Sequence, residues 1–249
     1  MKALFYWVVY PLFRPLFLLF VGINTFILGG LAIVISPLDP KGNMAHYVGR
    51  FWSLLNLFCN GTRVKIIGTE KIDPNKPYIV MSNHQSHFDV WALIGKLPLQ
   101  IRWIVKKELR TIPIFGYALT RMGHIYIDRQ DRDDAYKGMD RAVEKIKNGT
   151  SVIIFPEGTR SSDGRLLRFR LDGATIATKS GVSILPVTVN GGRFALPTRT
   201  LALMPGKMQI IIGDEIDPTR FVEGDRTALM AEVKAAIEKN LDLEYGSLV

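Results

Sequence analysis

The chain has 249 residues, 47% of them apolar, with 32 Lys and Arg against 23 Asp and Glu, a formal net charge of +9 and a single cysteine. That length suits one domain, alone or with an appendage. The apolar content excludes intrinsic disorder, and Cys59, having no partner, excludes a disulfide scaffold and fits a compartment where no oxidation is needed.

Apolar residues crowd the start, where 27 of the first 38 are of that kind. No residue from Pro15 to Leu38 is charged. At about 1.5 Å per residue, a helix of roughly 22 residues matches a bilayer core of about 30 Å, so a membrane segment is predicted here. A cleavable signal peptide is disfavoured, because Arg14 interrupts the long apolar run and no small-residue cleavage site follows. Pro11, Pro15 and Gly29-Gly30 each weaken or bend a helix, which leaves a spanning helix, a hairpin and an in-plane anchor open. Lys2 and Arg14 before the segment and Lys41 and Arg50 after it do not orient it. In residues 42 to 59, Met44, Tyr47, Phe51, Leu54, Leu55 and Phe58 recur at helical spacing beside Trp52, predicting a second helix, packed on the domain or lying among lipid headgroups. Residues 1 to 60 are therefore expected to form a helical membrane anchor and residues 61 to 249 a folded domain.

Beyond Asn60-Gly61 the pattern alternates. Strands are predicted at 62–68, 78–82, 101–105, 124–128, 151–155, 183–189 and 208–213, with helices near 88–96, 114–122, 132–147, 172–181 and 226–241. Within 132–147, Asp133 and Asp134 come first, Lys145 and Lys147 come last, and Asn148-Gly149 closes the segment, as the helix dipole and C-cap geometry prefer. Strands alternating with helices imply an α/β domain with a mixed, largely parallel sheet.

Four polar clusters follow directly on predicted strands: SNHQSHFD (82–89), KKELR (106–110), Asp128-Arg129 and PEGTRS (156–161). Ligands of open α/β sheets bind beyond the carboxyl ends of strands, so these clusters are expected to share one rim. His84 and Asp89 are five residues apart, about 140° on a regular helix, and meet only if His84 lies in a turn before the helix. Ser86 with Asp89 three residues later is also a capping box, so spacing alone gives Asp89 a structural role as readily as a catalytic one. His84, His87 and Asp89 make a weak metal pattern, an HxxH without a distant third ligand, and no metal is expected. There is no GxSxG, Walker A or GxGxxG motif, and Cys59 lies in an apolar helix, a poor setting for a thiolate nucleophile. A His–carboxylate pair acting as general base on an external hydroxyl remains the plausible engine for group transfer. In PEGTRS, Gly158 lets the backbone approach a ligand and Arg160 can hold a phosphate through two parallel hydrogen bonds. Alone, such a cluster is as readily a solvated loop.

At these residues the sequence resembles the glycerophospholipid acyltransferase family, and within it the 1-acyl-glycerol-3-phosphate acyltransferases. Asn83, His84 and Asp89 match its Asn-His-four residues-Asp hallmark. Gly123 through Tyr126 to Asp128-Arg129 match the second motif, Phe155 to Ser161 the third, and Leu185-Pro186-Val187 the fourth. One departure is Arg170-Leu171-Asp172-Gly173, where family members often carry lysines before the glycine. The resemblance implies transfer of a fatty acyl group from acyl-CoA or acyl carrier protein, each a co-substrate and neither a bound cofactor, to the sn-2 hydroxyl of 1-acyl-glycerol-3-phosphate, giving phosphatidic acid. It implies His84 as general base, Asp89 as the group that orients it, and Asn83 and Ser86 as supports of the turn. It places the acceptor phosphate on Arg160, helped by Lys106 or Lys107 and Arg129, within the PEGTRS turn of Glu157, Gly158 and Thr159, where Glu157 fixes the loop or binds acceptor hydroxyls.

That phosphate and anionic headgroups account for the basic block at 101–213, which alone carries +9. Nucleic acid is not expected, since no RNP, helix-turn-helix or zinc-finger pattern accompanies it. The expected location is a membrane surface, at the cytoplasmic face of the inner or plasma membrane. Two alternatives are acylation of glycerol-3-phosphate or another lysolipid, and a non-enzymatic protein that binds anionic lipid.

Overall fold

The structure, a computed structural model, describes residues 10–128, 131–221 and 225–247. All seven predicted strands are present: β1 (Arg63–Ile67), β2 (Ile79–Ser82), β3 (Ile101–Lys106), β4 (Ile125–Ile127), β5 (Ser151–Ile154), β6 (Ile184–Asn190) and β7 (Lys207–Ile212). They form one sheet in the order β1-β7-β6-β2-β5-β3-β4. Every neighbouring pair is parallel except β6 with β7. The central strands β2 and β6 are buried at every position, as strands covered on both faces must be, whereas edge strand β1 alternates exposed and half-buried residues. Pro186 is tolerated inside β6 because the β6–β7 ladder begins at Val187.

Among the described residues the helices are α1 (Tyr10–Ile35), α2 (Asn43–Cys59), α3 (His87–Lys96), α4 (Phe115–Arg121), α5 (Arg132–Lys147), α6 (Asp172–Ser180), α7 (Gly192–Ala195) and α8 (Arg226–Glu238). The one-turn α7 had no sequence signal, being a single turn with two glycines just before and at its start. The α5 N-cap is Asp131, whose carboxylate accepts from the backbone N–H of Asp133 and Asp134.

Among the described residues, the N-terminal segment is one continuous helix from Tyr10 to Ile35. Pro15 sits inside α1, where the backbone bond it removes is that to the Pro11 carbonyl near the start of the described helix. Both faces of α1 are apolar. One, including Phe17 and Ala32, packs inward; the other exposes Leu12, Leu16, Leu19, Ile23, Phe26 and Val34 at helical spacing. Polar contacts fix the inner face to α2: Asn24 Nδ2 donates to Asn56 Oδ1 at 3.0 Å, and Trp52 Nε1 donates to Thr25 Oγ1 at 2.9 Å.

In α2 the buried residues are mainly small or polar, Ala45, His46, Gly49, Ser53 and Asn56, joined by Leu57 in the main core, and Leu54 packs on Gly95 of α3. Of the apolar stripe, Met44, Tyr47, Phe51 and Phe58 are exposed and Leu54 and Leu55 half-buried. The α1–α2 connection is held to the sheet by Arg102, almost wholly buried in β3, whose guanidinium donates to the Lys41 carbonyl at 3.0 Å and to Asn43 Oδ1 at 2.8 Å. Burial lowers the Arg102 pKa to about 10, still high enough to keep the guanidinium charged at neutral pH.

Candidate active site

β2 ends at Ser82, and the chain turns through Asn83, His84 and Gln85 before Ser86 caps α3. The Ser86 hydroxyl accepts from Phe88 N at 3.3 Å, and Asp89 Oδ2 accepts from Ser86 N at 2.7 Å, completing the capping box. The same oxygen accepts from Gln85 N at 2.6 Å and lies 3.0 Å from His84 Nδ1. Capping the helix thus also aims the Asp89 carboxylate at the imidazole. Asp89 is fully buried, while His84 keeps 13% of its side chain exposed. A carboxylate can only accept, so Nδ1 carries the hydrogen and Nε2 is left with a free lone pair. The His84 ring lies flat on Phe155, with centroids 3.8 Å apart and planes at 3°.

The turn is fastened from two neighbouring strands. Asn83 exchanges two hydrogen bonds with the Val189 backbone of β6, at 2.8 and 2.7 Å. From the loop after β5, Glu157 Oε1 accepts from His84 N and Oε2 from Leu167 N, both at 2.8 Å, and Ser161 N donates to the His84 carbonyl at 2.8 Å. Burial pushes the Glu157 pKa up, and these two backbone donors oppose that shift. Each Glu157 oxygen thus ties down one backbone N–H, one in the His84 turn and one in the loop after β5. Gly158 has φ 70°, a left-handed conformation suited to glycine, and a Cβ there would meet Arg170 Cδ at 3.0 Å.

His84 opens onto a cavity of about 730 Å³. Its wall includes Gly158, Thr159, Arg160 and Lys106, with His87 beside them, and continues over Trp91, Trp103, Trp52 and Phe115 to Thr25, Leu28 and Gly29 of α1. A pocket from His84 to the N-terminal helix is therefore part of the fold. Lys106 and Lys107 separate: Lys107 is absent from this wall and lines a smaller cleft with Arg110, Arg141 and Lys145, its ammonium 3.7 Å from Asp128 Oδ2. Arg129 lies outside the described residues. Burial foremost, and then the Arg160 guanidinium, lower the His87 pKa from its ordinary value.

Sequence reasoning missed the aromatic wall, whose residues sit in α2, α3, α4 and β3 without a motif, and two histidines on the same wall. His124 Nδ1 accepts from Trp103 N at 2.9 Å, and burial holds its pKa well below the ordinary value. His46 is lowered to about 3, mainly by burial and then by the Arg102 and Arg50 charges. The sequence reading also assigned nothing to Gly191-Gly192, although a glycine pair directly after a buried strand is a signal of close backbone approach.

The acyltransferase family profile matches residues 63–190. A 1-acyl-sn-glycerol-3-phosphate acyltransferase of Pseudomonas aeruginosa is 31% identical over 228 residues, covering 90% of this chain and 86% of that protein. The chloroplastic 1-acyl-sn-glycerol-3-phosphate acyltransferase LPAT1 of Arabidopsis thaliana is 31% identical across 89% of this chain, which spans 62% of that protein's length. Among solved structures, the 1-acyl-sn-glycerophosphate acyltransferase PlsC of Thermotoga maritima superposes with a TM-score of 0.79 at 29% identity, covering 93% of this chain and 96% of that one. With a His–Asp pair at the carboxyl end of β2 and relatives that agree along nearly the whole chain, this protein is an enzyme of the acyltransferase family, in the branch of the 1-acyl-sn-glycerol-3-phosphate acyltransferases.

Proposed function

We propose that the enzyme transfers a fatty acyl group from the thioester of acyl-CoA or acyl carrier protein to the sn-2 hydroxyl of 1-acyl-glycerol-3-phosphate, forming phosphatidic acid. The observation that carries this is the His84–Asp89 pair, 3.0 Å apart, facing a cavity that is cationic beside His84 and apolar beyond it. His84 Nε2 takes the hydroxyl proton as the oxygen attacks the thioester carbonyl. The new C–O bond replaces the C–S bond, and the proton passes to the departing thiolate. Asp89 holds the productive tautomer and supports the imidazolium charge that forms. No acyl-enzyme is required.

Arg160, with Lys106 on the same wall, holds the acceptor phosphate, and the aromatic wall takes an acyl chain. The protein sits at a membrane surface with residues 1–60 as its anchor and 61–249 as the catalytic domain. A helix apolar on both faces is stable when buried or in lipid, and α1 is long and apolar enough to cross a membrane although only 17% of its most apolar stretch is buried. Its docking along α2 and α4 favours an in-plane seat over an isolated span.

The test is acyl transfer to lysophosphatidate in detergent by His84→Ala and Asp89→Asn. Both should fall by roughly 10² to 10⁴, the usual worth of general-base assistance. Undiminished turnover by either would sink the dyad, and a preference for glycerol-3-phosphate in competition would overturn the acceptor.

A further inference from the structure

The connection leaving β6 forms the wall against which the dyad rests. Ser86 Oγ donates to the Leu196 carbonyl at 2.8 Å, so the far end of α7 is tied to the α3 cap. At its near end, Gly191 has φ 86°, and a Cβ there would lie 2.3 Å from the Lys207 carbonyl oxygen. Gly192 lies between these two fixed points. A Cβ on Gly192 would fall 2.0 Å from Asp89 Oδ1 and 3.3 Å from Ser86 Cβ.

The two oxygens of Asp89 are held differently. Oδ2 takes the bonds from Gln85 N, Ser86 N and His84 Nδ1, whereas buried Oδ1 has no hydrogen-bond partner among the described residues. Its location is set by packing, and the surface it packs on is Gly192. Because the chain is pinned on both sides of Gly192, a methyl group there displaces the carboxylate more readily than the backbone.

We propose that Gly192 is a positioning residue for the His84–Asp89 pair: its missing side chain is the space that Asp89 Oδ1 occupies, and this keeps Oδ2 on His84 Nδ1. The proposal rests on the dyad assignment above. Relieving a 2.0 Å contact to an ordinary separation moves the carboxylate by about 1 Å, and misplacement on that scale costs about 10²-fold in rate.

The experiment is a double-mutant cycle of Gly192→Ala and Asp89→Ala, reading kcat, the KM for lysophosphatidate and the melting temperature of the full-length enzyme. Gly192→Ala should lower kcat about 10²-fold with KM little changed. In the Asp89→Ala background the same methyl has room, so it should alter the residual kcat by less than about twofold and should not lower the melting temperature further. Equal factors in both backgrounds would show a general structural defect and overturn the proposal, as would a fast Gly192→Ala enzyme beside a slow Asp89→Ala one. A fully active Asp89→Ala enzyme would instead overturn the dyad, and this proposal with it. If Gly192→Ala fails to fold, the double variant decides: folding as well as Asp89→Ala supports the steric relation, and failing alike refutes it.

Discussion

The imidazole of His84 lies flat on the ring of Phe155, centroids 3.8 Å apart and planes 3° from parallel. Phe155 is itself braced by Trp103 at 5.2 Å, so the His84 ring rests on a fixed aromatic surface joined to the cavity wall. Asp89 fixes one end of the imidazole and Phe155 fixes its plane. A stacked pair of this kind contributes about 0.5–1.5 kcal/mol, so Phe155→Ala should lower kcat by up to about tenfold. The KM for lysophosphatidate should move less, because Phe155 orients the base and carries no charge for the phosphate. Phe155→Tyr should retain most of the rate. A Phe155→Ala enzyme with unchanged kcat in steady-state assays would show that the stack contributes nothing to positioning.

The contrast between His84 and its aromatic platform marks what was legible beforehand. Asn83, His84, Asp89 and the PEGTRS turn stand out because polar residues at a strand end break an apolar pattern, and the structure brings them together. The seven strands were legible for the same reason, as short apolar runs between turn signals. Trp52, Trp91 and Trp103 could not be assigned, since an inward aromatic looks alike in sequence whether it fills a core or lines a cavity. The outward stripe of α2 was ambiguous in the same way. Periodicity finds the apolar face but not what meets it, and here the small residues Ala45, Gly49 and Ser53 are buried with Leu57 while Met44, Tyr47, Phe51 and Phe58 of the stripe are exposed. The glycine pair at 191–192 signals a close approach, but its partner Asp89, 103 positions away, was not legible.

Arg160 and Lys106 share the cavity wall with His84, while Lys107 faces a different cleft. A hydrogen bond to a charged group contributes about 1.5–3 kcal/mol, so Arg160→Ala should raise the KM for lysophosphatidate by roughly ten- to a hundredfold. The KM for the acyl donor should change far less. Lys106→Ala should act in the same sense, and Lys107→Ala, whose ammonium is 3.7 Å from the Asp128 carboxylate, should have little effect. Acceptor and donor titrations on the three variants separate these outcomes. An equal rise in both KM values for Arg160→Ala would count against a phosphate clamp.

The outer face of α1 offers a direct test of membrane seating. Leu19 and Phe26 are 60% and 65% exposed, so replacing them leaves the packed face untouched. On an in-plane helix, burying each of these apolar side chains among lipid tails contributes about 1.5–3 kcal/mol, which a carboxylate forfeits. The pair Leu19→Glu and Phe26→Glu should therefore cut co-flotation with phosphatidylglycerol-containing vesicles by more than about tenfold, with the melting temperature in detergent unchanged. Flotation equal to that of the parent protein would mean that this face does not meet lipid.

Acid should weaken the fold through the buried histidines of the cavity wall. His46 is 2% exposed and its pKa is lowered from 6.5 to about 3, so the folded protein keeps it neutral over a range where the unfolded chain protonates it. For a depressed folded pKa the stabilising contribution is complete above the unfolded value of 6.5 and is lost as the pH falls toward 3, at about 1.4 kcal/mol per pH unit per proton. Between pH 7 and pH 5 this amounts to about 2 kcal/mol from His46. His124, lowered in the same direction, adds to the slope. Denaturant unfolding at the two pH values should show the parent protein losing about 2 kcal/mol more than His46→Gln, in which nothing at that position titrates. Gln keeps a polar side chain at this buried position, and any pH-independent cost of the substitution cancels because each protein is compared with itself at the two pH values. Identical losses in the two proteins would mean that His46 takes up its proton in the folded state as readily as in the unfolded one.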